Sequence, residues 1–159
     1  MKIAFPRLIA AVAVAGVAST APAHTMERVN TVLPQEIKWG PAPAMLPPGA
    51  EAAVLFGDPS KKGYFVIRLK FPAGYSVAPH TYPVDEVVTV ISGTFYKGMG
   101  ETADRRRAQP LPTGSFFALP PGMAHYVFMQ EETVIQISTE GPWGLTYMNP
   151  NDDPRQTRK

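Results

Sequence analysis

Residues 74–93 read GYSVAPHTYPVDEVVTVISG. His80, Tyr82 and Glu86 all carry even numbers, so an extended backbone aims the three side chains towards one face. Donor atoms gathered on one face, between a glycine-opened turn and a β-branched run, mark a site rather than a solvated surface. Pro83 pushes the residue before it into extended geometry, which keeps Tyr82 aimed with its neighbours.

Working outward, the chain from residue 51 is built of short apolar runs separated by Gly and Pro. Strands are predicted over 53–56, 64–71, 86–91, 94–98, 115–119, 125–130, 133–138 and 145–148. In residues 64–71, Phe65, Ile67, Leu69 and Phe71 fall on one face and Tyr64, Val66, Arg68 and Lys70 on the other, as in a strand with one side in a core. Ile91-Ser92-Gly93-Thr94 reads as a hairpin turn and Pro120-Pro121-Gly122 as a tight corner. Beyond the first residues no window keeps a 3.6-residue period over helical length. Many short strands with turn signals between them predict an all-β sandwich or barrel.

The flanks differ from this domain. Residues 1–23 have the form of a secretory signal peptide: Lys2 and Arg7, then the apolar LIAAVAVAGVA, then the small residues Ala21-Pro22-Ala23. That apolar run is shorter than the roughly 20 residues a membrane span needs. Without Lys2 and Arg7, the 15 Lys+Arg become 13 against 13 Asp+Glu, so the mature chain is formally neutral and gives no ground for a nucleic-acid partner. A periplasmic or secreted protein is expected, with no membrane attachment after signal cleavage. There is no Cys, which excludes thiol nucleophiles and zinc–thiolate sites. Residues 24–50, with the proline-rich WGPAPAMLPPG, form an N-terminal arm that drapes over the domain or contacts a second subunit. The polar residues 149–159 are expected to form a flexible tail.

Two segments resemble the paired motifs of the cupin superfamily. Gly74, five residues, His80-Thr81-Tyr82, three residues, Glu86, six residues and Gly93 match the first, with tyrosine where the family has its second histidine. Gly114, five residues, Pro120-Pro121-Gly122, two residues and His125 match the second, except that Met129 stands where the family has asparagine. The resemblance implies a single-domain cupin jelly-roll barrel over residues 51–148 and a homodimer. It also implies that His80, Glu86 and His125 hold a metal. A two-histidine, one-carboxylate set suits Fe or Mn, while Ni, Cu or Zn fit the same donors. A buried carboxylate needs a partner, and Arg68 is the rival to a metal for Glu86.

Tyr82 has three readings: a ligand, which as phenolate prefers Fe(III); a donor to metal-bound water or substrate; or plain filling. The donor role is preferred, because the triad is complete without it. Val88, Val90, Val127 and Met129 share the ligands' parity and would wall the site; Phe95, Tyr126 and Trp143 could line its mouth, with plain packing the favoured reading for each. Gln136 interrupts an apolar strand and either contacts substrate or faces outward. The expected activity is that of an exported metal-dependent oxidoreductase, dioxygenase-like, acting on a small oxygen-rich or aromatic molecule. The alternatives are a non-catalytic small-molecule or metal binder and a metal-dependent isomerase or lyase. Arg105-Arg106-Arg107 reads as a solvated loop beside Glu101 and Asp104. His24, at the mature N-terminus, could chelate copper only with a second histidine, and the motifs commit the other two.

Overall fold

The computed structural model describes residues 29–157. The expected leader and His24 lie outside them. Eleven strands follow in order: β1 (Gly40–Pro41), β2 (Glu51–Phe56), β3 (Gly63–Phe71), β4 (Ser76–Thr81), β5 (Glu86–Ser92), β6 (Thr94–Met99), β7 (Gln109–Pro112), β8 (Phe116–Leu119), β9 (His125–Met129), β10 (Thr133–Gly141) and β11 (Thr146–Tyr147). They form two sheets, ordered β1-β2-β3-β10-β5-β8 and β11-β4-β9-β6-β7, with antiparallel pairing throughout. This is the all-β jelly roll that the motifs imply.

The core is the space between the sheets. Phe65, Ile67, Leu69 and Phe71 of β3 are at most 2 % exposed and meet Val88 and Val90 of β5, Ile135 and Ile137 of β10, and Phe95 of β6. Each such side chain contributes roughly 1.5–3 kcal/mol of burial, which settles the register of β3. Pairing confirms it: Leu69 stands opposite Ile135, and Ile67 opposite Ile137.

Three strands escaped the periodicity because prolines interrupt them. β4 contains Pro79, β7 contains Pro110 and Pro112, and β1 ends on Pro41. A strand tolerates proline at a sheet edge or a bulge. β1 and β7 are edge strands, and β4 shifts register between Val77 and His80. That bulge lets both Val77 and His80 point inward despite their odd–even mismatch.

The segment 91–94 is not a hairpin. β5 pairs within the first sheet and β6 within the second, so Gly93 turns the chain from one sheet to the other. It does so at φ 75°, and a Cβ there would lie 2.5 Å from the Glu132 carbonyl oxygen. Pro120-Pro121-Gly122 is likewise a sheet-to-sheet corner, and the Gly122 amide donates to the Tyr82 carbonyl at 2.9 Å.

The arm is stitched to its own barrel. β1 pairs with β2, Met45 and Leu46 are buried, and the Tyr147 and Tyr75 hydroxyls donate to the Met45 and Pro47 carbonyls at 2.8 and 2.6 Å. In the segment expected to be a flexible tail, residues up to Thr157 have built structure: a 3-10 turn over Pro150–Asp152 and a helical turn over Pro154–Thr157. There the buried Asp153 accepts from Arg155, Nη2 to Oδ2, at 2.6 Å.

Candidate metal centre

The bulge in β4, the first residue of β5 and the first residue of β9 bring His80, Glu86 and His125 to one small cavity. All three are at most 5 % exposed. His80 and His125 are paired across β4 and β9, with ring centroids 4.3 Å apart. The cavity, about 10 Å³, is the size of one water or one ion, and Leu46, Tyr82, Phe95 and Val127 help to close it. The apolar-wall expectation thus holds for Val127, with Val88, Val90 and Met129 buried in the same core.

Each histidine is held by the same device. Nδ1 of His80 donates to the Ala78 carbonyl at 2.7 Å and Nδ1 of His125 to the Met123 carbonyl at 3.1 Å. A carbonyl only accepts, so the proton sits on Nδ1, and in the neutral ring Nε2 keeps its lone pair. Burial, followed by the neighbouring His125, pushes His80 down to about 3, against the opposing hydrogen bond to Ala78. His80 therefore stays a neutral donor at physiological pH.

Glu86 supplies the decisive observation. Its Oε2 lies 3.1 Å from His125 Nε2, within ion-pair distance, yet it is buried without a hydrogen-bond partner. A neutral His125 donating through Nδ1 turns a bare lone pair towards that oxygen. Two acceptors at this separation repel unless a cation, whether proton or metal ion, lies between them. The donor chemistry therefore fits a divalent ion. The geometry is incomplete: among the described residues no group of three or more His, Cys, Asp or Glu side chains is set to hold an ion. The three line one cavity, and side-chain adjustment would have to bring their donors onto one point.

Tyr82 is buried against the site. Its ring meets His80 edge-on at 5.3 Å, faces His125 at 5.9 Å and lies parallel to Trp143 at 6.3 Å. Burial, followed by the Glu86 charge, holds its hydroxyl well above the ordinary phenol range. A neutral phenol is a poor ligand, so this environment favours the wall-and-donor role. The Trp143 indole N–H is itself buried with no hydrogen-bond partner.

Two expectations are corrected. Gln136 does not face the cavity: Ile135 and Ile137 take the inner face of β10, and Gln136 Oε1 accepts from Arg68 Nε at 3.1 Å on the outer face. The same bond removes Arg68 as a partner for Glu86. Tyr126, next to His125, packs on the opposite face, in line with the packing reading, and donates to the Asp104 carbonyl at 2.5 Å. Leu46 is the wall residue that the sequence concealed, since nothing in a proline-rich arm marks one leucine as part of a distant site.

Comparison with known proteins agrees with this architecture. A family model described as domain of unknown function DUF4437 matches residues 19–146. A germin-like protein, subfamily 2 member 1, of Arabidopsis thaliana is 37% identical over 65 residues, 40% of this chain and 30% of the relative, so the match spans under a third of that protein. Among solved structures, the polyketide cyclase RemF of Streptomyces resistomycificus aligns with a TM-score of 0.62 at 13% identity, covering 81% of this chain and 92% of that one. An acetylacetone dioxygenase candidate from Methylibium petroleiphilum aligns at 0.61 and 18%, covering 82% and 88%. An RmlC-like cupin from Shewanella frigidimarina aligns at 0.54 and 13%, covering 71% and 91%. At these identities the structural matches speak for the fold alone.

Proposed function

The chain belongs to the DUF4437 family and is a member of the cupin superfamily, and from that premise we propose that it is an exported metal-dependent oxidoreductase acting on a small oxygen-rich or aromatic molecule. The observation that carries the reading is the buried Glu86 Oε2, without a hydrogen-bond partner and 3.1 Å from a histidine nitrogen whose proton is engaged elsewhere. His80, Glu86 and His125 would hold the ion, Fe or Mn by donor preference, with Ni, Cu and Zn accepting the same set. Bound there, the ion would supply Lewis acidity and a place for substrate oxygens and O₂ to meet. Ala78 and Met123 fix both imidazoles through their carbonyls. Tyr82 and Trp143 exclude water from one side, and the Tyr82 hydroxyl is available to hold or pass a proton.

One observation favours a second reading, a non-catalytic metal binder. The cavity has room for about one water-sized particle, so a substrate could enter only if its walls move. Either reading includes export to the periplasm or outside the cell, which the signal-like sequence of residues 1–23 supports. A homodimer belongs to the same proposal, supported by Phe56 and Tyr64, exposed aromatic residues whose rings lie 6.5 Å apart on the larger sheet.

Elemental analysis of protein purified from its own compartment, followed by oxygen-uptake assays, separates the readings. About one Fe or Mn per chain is expected in the wild type, lost in His125→Ala together with any turnover. Metal retained with no uptake across oxygen-rich and aromatic substrates would leave the binder. A protein that stays empty when offered Fe, Mn, Ni, Cu and Zn in turn refutes both.

A further inference from the structure

We propose that Lys97 is the anion-binding residue of this site, its ammonium taking a carboxylate or comparable oxyanion of a small molecule bound beside His80, Glu86 and His125. The inference deepens the metal-site reading and rests on it. Without a cation in the cavity, Glu86 and Lys97 would sum to no net charge and attract no anion.

The argument begins with the direction of the side chain. On β6, Lys97 lies two residues after the buried Phe95 and so shares its inward face. Its Nζ sits 4.3 Å from the ring centroid of Phe117, the buried inner residue of β8. β6 and β8 belong to opposite sheets, so the half-buried lysine leans across the gap between them. Phe95 and Phe117 stack at 5.9 Å, and Phe95 also lines the metal cavity. An apolar path therefore joins the lysine to the site.

Lys97 is also poorly partnered. Among the described residues it makes no hydrogen bond and no ion pair; Phe117 is its one close polarisable neighbour. Lys61 and Lys70, by contrast, each pair with a carboxylate at 2.8 Å. An ammonium has three donors, and the face of a phenylalanine ring compensates only part of their desolvation. Burial pulls the Lys97 ammonium down from its ordinary range, and the Glu86 carboxylate opposes this. A half-buried, inward-facing cation with unsatisfied donors beside a positively charged centre is suited to a negatively charged ligand.

The test uses the full chain loaded with Mn(II). Two bidentate oxygen ligands are titrated by calorimetry: glycolate, which carries a carboxylate, and ethylene glycol, which does not. Elemental analysis and thermal melts accompany each variant. Lys97→Met is expected to keep its Mn(II) and its fold and to weaken glycolate binding by about tenfold to a hundredfold, the usual range for loss of a charged hydrogen bond. Lys97→Arg should restore most of the affinity, and ethylene glycol should respond to neither substitution. Equal glycolate affinity in wild type and Lys97→Met, with Mn(II) bound in both, overturns the assignment and leaves the metal site standing. So does a wild type that prefers glycolate no more than ethylene glycol. A chain that takes up no Mn(II) refutes the metal reading and this inference with it.

Discussion

Replacing Glu86 with glutamine separates a metal ligand from a structural ion pair, because the two roles give opposite signs in metal-free protein. In the structure Oε2 is buried with no hydrogen-bond partner. If that oxygen awaits an ion, chelated protein carries an uncompensated carboxylate, and neutralising it recovers about 1–3 kcal/mol. Domains of roughly 100 to 200 residues shift by about 4 °C per kcal/mol, so chelated Glu86→Gln should melt roughly 4–12 °C above chelated wild type. Mn(II) at a hundred times its dissociation constant adds about 2.7 kcal/mol to the wild type, a further rise of about 10 °C, which the variant should lack. The assay is differential scanning calorimetry of both proteins at pH 7, with chelator and with Mn(II). If His125 is instead an imidazolium paired with Glu86, the substitution breaks a buried pair and costs about 3–5 kcal/mol. A lower melting temperature in chelated Glu86→Gln, with the Mn(II) shift intact, would refute the reasoning.

Two further outcomes test the surrounding fold. Burial holds the Tyr75 and Tyr82 phenols above their ordinary range and pushes Tyr147 up to about 12. The unfolded phenols ionise first, near pH 10, so the stability these groups contribute is intact below about pH 10 and is lost as pH rises towards 12. In a near-ultraviolet phenolate titration, three of the six tyrosines should ionise only as the β-sheet signal collapses; six ionising near pH 10 in a folded protein would contradict this. Gly93→Ala places a side chain at φ 75° and against the Glu132 carbonyl. It should cost about 2 kcal/mol or more in urea unfolding, and a loss under about 0.5 kcal/mol would mean that the corner relaxes freely.

The sequence made the site more legible than the strands that carry it. Alternation placed β3 with its correct inner face, because Phe65, Ile67, Leu69 and Phe71 have no competing period. Parity is not what joins His80 to Glu86: they lie on β4 and β5, strands of opposite sheets, and face each other across the barrel, so the turn contained in the motif spacing brings them together. What parity alone could not decide was which face of β10 is inner. Gln136 interrupts an apolar run, yet Ile135 and Ile137 bury more apolar surface and take the core. Proline hid β4 and β7, since a residue without an amide argues against a strand until its edge or bulge position is known. Leu46 was beyond local reasoning, because its place depends on how an arm closes over the barrel. Lys97 did carry a signal, a lysine two places after a core phenylalanine on the same strand.

The exchange of histidine for tyrosine and the position of this lysine bear on the same quantity, the charge of the centre. A second histidine in the first motif would be a fourth protein donor, and Tyr82, held as a neutral phenol, gives that position up. With His80 also neutral, Glu86 is the one anionic member of the proposed ligand set. A divalent ion there would retain a charge near +1 and have one more position open to ligand oxygen. Lys97 adds a second positive charge near that opening. A neutral substrate would gain little from this arrangement, whereas an anionic chelator would satisfy the ion and the ammonium together. The physical content of the tyrosine is therefore a shift in preference, from a closed and better-ligated ion towards a more open centre selective for anions. Tyr82→His should reverse it, tightening Mn(II) while weakening glycolate. Tighter Mn(II) with unchanged glycolate affinity would show that the open position plays no part in ligand selection.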